Sequence, residues 1–159
     1  MNKVYLLLGS NMGNSKVQLS TAIAQIKKQI GNITRQSDLY TTAAWGNTQQ
    51  PDFLNQVIIV ETSLTALQTM QTILSIEKQM GRLRTVKNAP RIIDIDILFF
   101  NREIIEREQL TVPHPQIQNR RFVLVPLNQL SPNLQHPVLK KTIHQLLIHC
   151  PDKLNVKKF

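Results

Sequence analysis

Two carboxylates spaced two residues apart are the feature of this sequence that most strongly suggests chemistry. Asp94 and Asp96 lie in the apolar segment RIIDIDILFF (91–100). Its β-branched content predicts a strand, on which alternate side chains point to the same face. Adjacent carboxylates repel each other unless a cation lies between them, and oxygen ligands suit Mg²⁺ that carries substrate phosphates. The pair is therefore a candidate magnesium site, although an isolated Asp-x-Asp also fits the solvated face of an antiparallel strand.

Several cationic side chains lie close to this pair in the sequence. Arg91 precedes it on the same predicted strand, Arg82 and Arg84 lie in the loop before it, and His114 and Arg120 follow in an irregular segment. Guanidinium groups bind phosphate oxygens with two parallel hydrogen bonds and stabilise the charge that develops in phosphoryl transfer. Each arginine alone is compatible with a solvated surface charge. Together with the carboxylates, they predict a polyphosphate site.

Length and composition indicate how many domains the chain forms and which classes of partner it attracts. The chain has 159 residues, 42% of them hydrophobic, which is enough for one globular domain spanning residues 1–159. Its net charge of +9 attracts anions, and charge alone does not choose among nucleic acid, anionic lipid and a phosphorylated small molecule. The single cysteine, Cys150, excludes an intrachain disulfide. Since no apolar run is long enough for a signal peptide or a membrane helix, we expect a cytoplasmic protein.

The elements that must position these residues follow from hydrophobic periodicity. Strands are predicted at 3–8, 33–42, 53–62 and 91–100, and helices at 15–30 and from Ser63 to Gly81, the latter burying Leu64, Leu67, Met70 and Leu74. The order β-α-β-β-α-β predicts an α+β, ferredoxin-like antiparallel sheet with helices on one face. Asn101-Arg102 suggests an added hairpin into residues 103–105. Residues 111–116 should form an irregular loop, followed by C-terminal helices near 119–130 and 142–149.

The segment KNAPRIIDIDIL (87–98) resembles the signature of the 6-hydroxymethyl-7,8-dihydropterin pyrophosphokinase family. Further segments are similar to that family in the same order: LLLGSNMGN (6–14), YTTAAWG (40–46), PDFLNQV (51–57), GRLR (81–84) and LTVPHPQIQNRRFVLVPL (110–127). The resemblance implies an enzyme of folate biosynthesis that transfers diphosphate from ATP to the hydroxymethyl group of the pterin and releases AMP. The expected substrates are thus ATP and 6-hydroxymethyl-7,8-dihydropterin, and we expect a monomer that binds neither nucleic acid nor membrane.

The resemblance also implies roles for the charged residues. Asp94 and Asp96 would bind two Mg²⁺ ions that bridge the ATP phosphates, with Asp96 also near the attacking hydroxyl. The triphosphate would be contacted by Arg82, Arg91, His114 and Arg120, and Arg84 would lie in a loop that closes over it. Arg82, Arg91 and Asp96 are the expected catalytic residues. Glu77, near that loop, would act from the rim of the site, and an exposed helix carboxylate is the alternative.

On the pterin side, the resemblance places the ring between Phe53 and Phe122. Asn55 and groups around Thr42 and Trp45 would bind its amide edge. A flat heterocycle needs aromatic faces and a few polar partners at its edge, which agrees with this set. Plain core packing is the alternative for the two phenylalanines.

Two other functions share parts of this pattern. RNA-recognition domains have the same order of elements and a basic charge, but they carry stacking aromatic residues where this chain has aspartates. Palm-like nucleotidyl transferases and cyclases also place paired carboxylates and two metals on a ferredoxin-like sheet. The pterin-side segments argue against this second alternative, and product analysis would separate the two reactions.

Overall fold

The computed structural model describes residues 1–43, 49–82 and 90–159. The strands are β1 (Asn2–Ser10), β2 (Asn32–Gln36), β3 (Tyr40–Thr42), β4 (Phe53–Thr62), β5 (Asp94–Phe100), β6 (Ile105–Glu106), β7 (Thr111–Val112) and β8 (Lys157–Lys158). The helices are α1 (Ser15–Gln29), α2 (Ala66–Gln79), α3 (Arg121–Leu130) and α4 (Ile143–Ile148), with a short 3-10 helix at Ile117–Asn119. In this part of the chain, no helix is long and apolar enough to cross a membrane.

The main sheet is antiparallel, with β1 between β4 and β5. The predicted strand at 33–42 is divided into β2 and β3, which both pair with the same side of β4. Ser37 lies at the break and still bonds to β4, since its hydroxyl accepts from the Val57 N–H at 3.0 Å and its own N–H donates to the Val57 carbonyl at 2.8 Å. The pairing of β4 therefore continues past the break, and β8 extends the sheet beyond β3.

Helices cover both faces of this sheet. Val4, Leu6 and Leu8 of β1 point to the face that carries α1 and α2. Tyr5 and Leu7 point to the opposite face, which carries α3 and α4. Burial on both faces explains why β1 is apolar without alternation. The predicted α+β fold is confirmed: α1 and α2 share one face, and the added C-terminal helices cover the other.

The start of each of the first two helices follows from its cap. Asn14 caps α1 by accepting from the Val17 N–H at 3.2 Å. Thr65 and Gln68 form a capping box that starts α2. The predicted buried face of α2 is wrong, because Leu67 and Leu74 are 39% and 40% exposed.

The residues of α2 that are buried are Ala66, Thr69, Ile73, Ile76 and Glu77. Because this buried face includes a threonine and a carboxylate, counting apolar residues alone does not identify it.

A hairpin follows β5, but the predicted pairing of residues 103–105 with β5 through a turn at Asn101-Arg102 is wrong. β6 pairs with β7, with Ile105 opposite Val112, and not with β5. Asn101, at a positive φ of 51°, binds the turn to β1, since its side-chain oxygen accepts from the Lys3 N–H at 2.8 Å. The chain therefore turns away from β5, and part of the predicted irregular loop at 111–116 is the strand β7.

Candidate active site

A cleft of about 690 Å³, including space open to solvent, lies between the sheet and the start of α3. Leu7 and Gly9 of β1 contribute to its lining. The cleft brings together most of the residues predicted from the sequence: Thr42, Phe53, Asn55, Arg91, Asp94, Asp96, Arg120 and Phe122. Trp45 and Arg84 lie outside the described residues.

Strand pairing sets the spacing across the cleft. Gly9 stands opposite Asn55 on β4 and opposite Asp94 on β5. Since neighbouring strands lie roughly 4.8 Å apart, the backbones at Asn55 and Asp94 are about 10 Å apart. A Cβ at Gly9 would lie 2.7 Å from the Asn55 side-chain oxygen, closer than van der Waals contact allows. The absence of a side chain at Gly9 therefore keeps Asn55 in place and the space between it and Asp94 open.

The two aspartates share one side of β5, as predicted, because Ile95 and Ile97 point to the opposite core. Asp94 accepts from Arg82 Nη1 at 2.6 Å and from Arg91 Nη1 at 3.0 Å. Burial, followed by the negative charges of Asp94 and Glu77, raises the pKa of Asp96 to about 7, against the opposing effect of Arg120 and Arg91. In the metal-free site, Asp96 thus resists ionisation near neutral pH.

Glu77 is buried, with 2% of its surface exposed, and so it is not an exposed helix carboxylate. Its Oε2 accepts from Arg82 Nη1 at 2.7 Å and from the Ile95 N–H at 2.9 Å. β5 is an edge strand of the sheet, and Glu77 satisfies an edge N–H group between the two aspartates. Arg82, whose side chain is 6% exposed, is thereby held between Glu77 and Asp94.

His114 lines a neighbouring groove rather than the cleft. Its Nδ1 accepts from the Gln116 N–H at 3.1 Å, so the neutral ring carries its proton on Nε2. Burial and the positive charge of Arg120 lower the pKa of His114 to about 4, and Asp94 opposes them. His114 is therefore neutral at physiological pH and lies within the electrostatic reach of both cleft residues.

The aromatic residue Phe122 and the cationic residue Arg120 occupy adjacent parts of the cleft. The guanidinium carbon of Arg120 lies 5.8 Å from the ring centroid of Phe122, within the range of a cation–π contact. Phe53 extends from β4 on the same face as Asn55, because the two residues are two positions apart on the strand. The phosphate-side and pterin-side residues predicted from the sequence thus meet in one cleft.

Sequence reasoning assigned no role to Asn11, which lies in the segment LLLGSNMGN (6–14). Asn11 exchanges two bonds with Arg91: its N–H donates to the Arg91 carbonyl at 3.1 Å, and its Oδ1 accepts from the Arg91 N–H at 2.8 Å. Its Nδ2 donates to Gln50 Oε1 at 2.9 Å and to the Pro51 carbonyl at 3.1 Å. Asn11 therefore fixes the segments that enter β4 and β5. A buried polar residue immediately after an apolar strand was the available signal.

The donor set fits magnesium. The described residues contain no cluster of three or more His, Cys, Asp or Glu side chains that could hold a metal. Mg²⁺ is commonly bound by only one or two carboxylates, with water and substrate phosphates completing its shell. Burial and the charges of Asp94 and Glu77 raise the pKa of Asp96, and a cation bound there would favour its ionised form.

Comparison with known proteins identifies the family. Residues 5–132 match the family described as 7,8-dihydro-6-hydroxymethylpterin-pyrophosphokinase (HPPK). The chain is 39% identical over 135 residues to 2-amino-4-hydroxy-6-hydroxymethyldihydropteridine pyrophosphokinase of Bacillus subtilis, covering 84% of this chain and 81% of that protein. The chain belongs to the HPPK family.

Two further relatives of this HPPK chain are longer proteins, of which it matches only a part. The folic acid synthesis protein fol1 of Schizosaccharomyces pombe is 38% identical over 96% of this chain, which spans 21% of that protein. A crystal structure of Plasmodium falciparum HPPK-DHPS has the same fold, with a TM-score of 0.78 and 21% identity, over 92% of this chain and 45% of that one. The prediction of a pyrophosphokinase of folate biosynthesis is confirmed, and the RNA-binding and palm-like alternatives are not supported.

Gly9→Ala should weaken pterin binding by the HPPK chain roughly 10-fold or more, the effect of one misplaced methyl group in a binding pocket. The added methyl displaces Asn55 and narrows the cleft, while the arginines remain in place. Calorimetry with the pterin and with an ATP analogue measures the two affinities separately. Ser20→Ala, an exposed change on α1, is the control and should leave pterin affinity unchanged. An equal loss of pterin affinity and ATP-analogue affinity in Gly9→Ala would contradict the expected contact between Asn55 and the pterin.

Asp96→Asn should stabilise the metal-free protein at high pH. Because the pKa of Asp96 rises from 3.8 to about 7 on folding, the folded state binds more protons than the unfolded state between these values. The stability contributed by this group is present below pH 4 and lost as the pH rises toward 7. Asn removes that loss, so the variant should melt at a higher temperature than the native chain at pH 8.

Thermal unfolding in EDTA at pH 4 and pH 8 tests this prediction. Asp52→Asn, which changes an exposed carboxylate, is the control and should leave the pH dependence unaltered. An identical pH dependence in Asp96→Asn and the native chain would show that Asp96 ionises normally.

Proposed function

We propose that the cleft binds 6-hydroxymethyl-7,8-dihydropterin and ATP side by side and catalyses direct transfer of diphosphate between them. The observation that carries this proposal is the meeting of two phenylalanines and Asn55 with the carboxylate pair and two arginines in one cleft. Phe53 and Phe122 would hold the faces of the ring, and Asn55 would bind its amide edge. Backbone groups around Thr42 complete that edge, to which the sequence also assigns Trp45.

The phosphates would lie along the charged side of the cleft. Arg91 and Arg120 line it, and Arg82 is held one ion pair away, on Asp94. His114 would donate from Nε2, because its Nδ1 already accepts a hydrogen bond. Arg84 remains a predicted contact from a closing loop. These donors stabilise the negative charge that develops on the transferring phosphate oxygens.

Magnesium dependence is general in this family, and we propose two ions held by Asp94 and Asp96. Bound there, Mg²⁺ would supply Lewis acidity and orient the phosphate oxygens for in-line attack. The pterin hydroxymethyl oxygen forms a bond to the β-phosphorus of ATP while the bond from that phosphorus to the α–β bridging oxygen breaks. AMP leaves with the bridging oxygen, and the hydroxyl proton passes to water. Asp96 would lie near the attacking hydroxyl. No covalent enzyme intermediate is required.

The proposal also covers the domain organisation, the oligomeric state and the partners of the protein. Residues 1–159 would act as one pyrophosphokinase domain and as a monomer, with ATP and the pterin as its only partners and with no nucleic acid or membrane. A cytoplasmic location stays a prediction from the sequence.

Product analysis tests the proposed reaction. The purified protein is incubated with ATP, Mg²⁺ and 6-hydroxymethyl-7,8-dihydropterin, and the nucleotides are separated. AMP should form in step with pterin diphosphate and should be absent without the pterin. Asp96→Asn should lose at least ~100-fold in turnover, since it weakens a preorganised charge clamp, while it retains pterin binding. ADP, or pyrophosphate released without the pterin, would contradict direct diphosphate transfer.

Arg82→Ala should lower kcat by about 100-fold and change the affinity for an ATP analogue by only a few fold. In the metal-free protein, the Arg82 side chain is engaged by Glu77 and Asp94, so its contact with phosphate would form mainly in the closed complex. Steady-state kinetics and calorimetry give the two quantities. Lys78→Ala removes an exposed cation near the end of α2 and should change neither kcat nor the affinity for the ATP analogue. Equal losses in kcat and ATP affinity would instead indicate a static contact.

A further inference from the structure

The 151–159 segment runs along the pterin end of the cleft. Its strand β8 pairs with β3, with Lys158 opposite Tyr40 and Lys157 opposite Thr41. Phe159 adds a backbone bond, its N–H donating to the Leu39 carbonyl at 2.8 Å. Since β3 ends at Thr42, which lines the cleft, this pairing supports one wall of the pocket.

The same segment reaches the opposite wall through Asp152. This carboxylate is buried, with 8% of its surface exposed. Its Oδ2 accepts from the Arg121 N–H at 3.0 Å, and its Oδ1 accepts from the Leu154 N–H at 2.9 Å. The first bond joins the segment to the start of α3, and the second closes a local turn within the segment.

Asp152 replaces a cap that α3 lacks. Arg120 occupies the N-cap position of this helix and makes no side-chain capping hydrogen bond there. A helix N-terminus leaves backbone N–H groups unsatisfied and favours a negative charge, and Asp152 supplies both an acceptor and that charge from a distant part of the sequence. The N–H that it binds belongs to Arg121, which lies between two residues that line the cleft: the N-cap residue Arg120 and the α3 residue Phe122.

We infer that Asp152 is a positioning residue for the pterin pocket: by capping α3 at Arg121, it fixes the placement of the Phe122 ring and of the Arg120 guanidinium beside it. This inference rests on the proposed assignment of Phe122 to the pterin. A displacement of about 1 Å at a binding group costs up to 100-fold in rate, so the cap affects binding as well as stability. The Thr42 hydroxyl donates to the Asn155 carbonyl of the same segment at 3.4 Å. The segment therefore connects the wall of the cleft at Thr42 with the wall at the start of α3.

Two substitutions at Asp152 separate the cap from the local turn. Asp152→Ser keeps a hydroxyl acceptor for the Leu154 N–H, but its side chain is too short to reach Arg121. Asp152→Asn keeps an oxygen that can accept from the Arg121 N–H. Asp152→Ser should weaken pterin binding about 5- to 30-fold, the fold-change that follows from loss of a helix cap, and Asp152→Asn should restore most of it.

The dissociation constants of the pterin and of a non-hydrolysable ATP analogue are measured with Mg²⁺ present, below the melting temperature of each variant. ATP affinity should change less than pterin affinity, because Arg91 and the carboxylate pair are held by other segments. Lys157→Ala, an exposed change in the same segment, is the matched control. Phe122→Ala is the positive control and should abolish tight pterin binding.

Each outcome decides the inference. If Asp152→Ser lowers only the melting temperature and leaves pterin affinity intact while Phe122→Ala weakens it, the positioning role is wrong and the proposed pocket stands. If Phe122→Ala has no effect on pterin binding, the proposed pocket fails and the positioning role fails with it. Weakened pterin binding in Asp152→Ser with recovery in Asp152→Asn supports the inference.

Discussion

The site depends on the placement of two carboxylates, Asp94 and Asp96, on one half-buried face of strand β5. Two arginines bond Asp94, whereas burial raises the pKa of Asp96 to about 7. The folded chain therefore keeps a pair of carboxylates in an arrangement that only added positive charge completes. Magnesium carrying ATP is the partner that supplies this charge in the proposed reaction.

Much of the remaining structure holds that pair in register with the proposed pterin pocket. Strand β1 lies between the two, and its Gly9 leaves the space between Asn55 and Asp94 open. Glu77 occupies a core position of α2 because it satisfies both the edge of β5 and Arg82. Local rules are broken here, with a buried charge on a helix and a glycine within a strand, and such exceptions are expected at functional sites.

Most of the fold and of the site composition could be predicted from the sequence, because both rest on local patterns. Strand β4 was predicted with its observed bounds, and the common face of the two aspartates follows from the period of a strand. The buried face of α2 could not be predicted. Thr69 takes a core position because its hydroxyl donates to the Thr65 carbonyl one turn earlier, and Glu77 takes one because it accepts from Arg82 and from the Ile95 N–H. The partners of Asn11 and Asp152 could not be predicted, because Arg91 and Arg121 are distant from them in the sequence and tertiary folding alone brings each pair together.

The most direct test of this account is a carbon-13 NMR titration of the Asp96 side-chain carboxyl group, first in the metal-free protein and then with Mg²⁺ and a non-hydrolysable ATP analogue. The account predicts a pKa near 7 without metal and a large decrease when the loaded nucleotide binds. An ordinary pKa near 4 in the metal-free protein, or a value that does not change when Mg²⁺ and nucleotide are added, would contradict it.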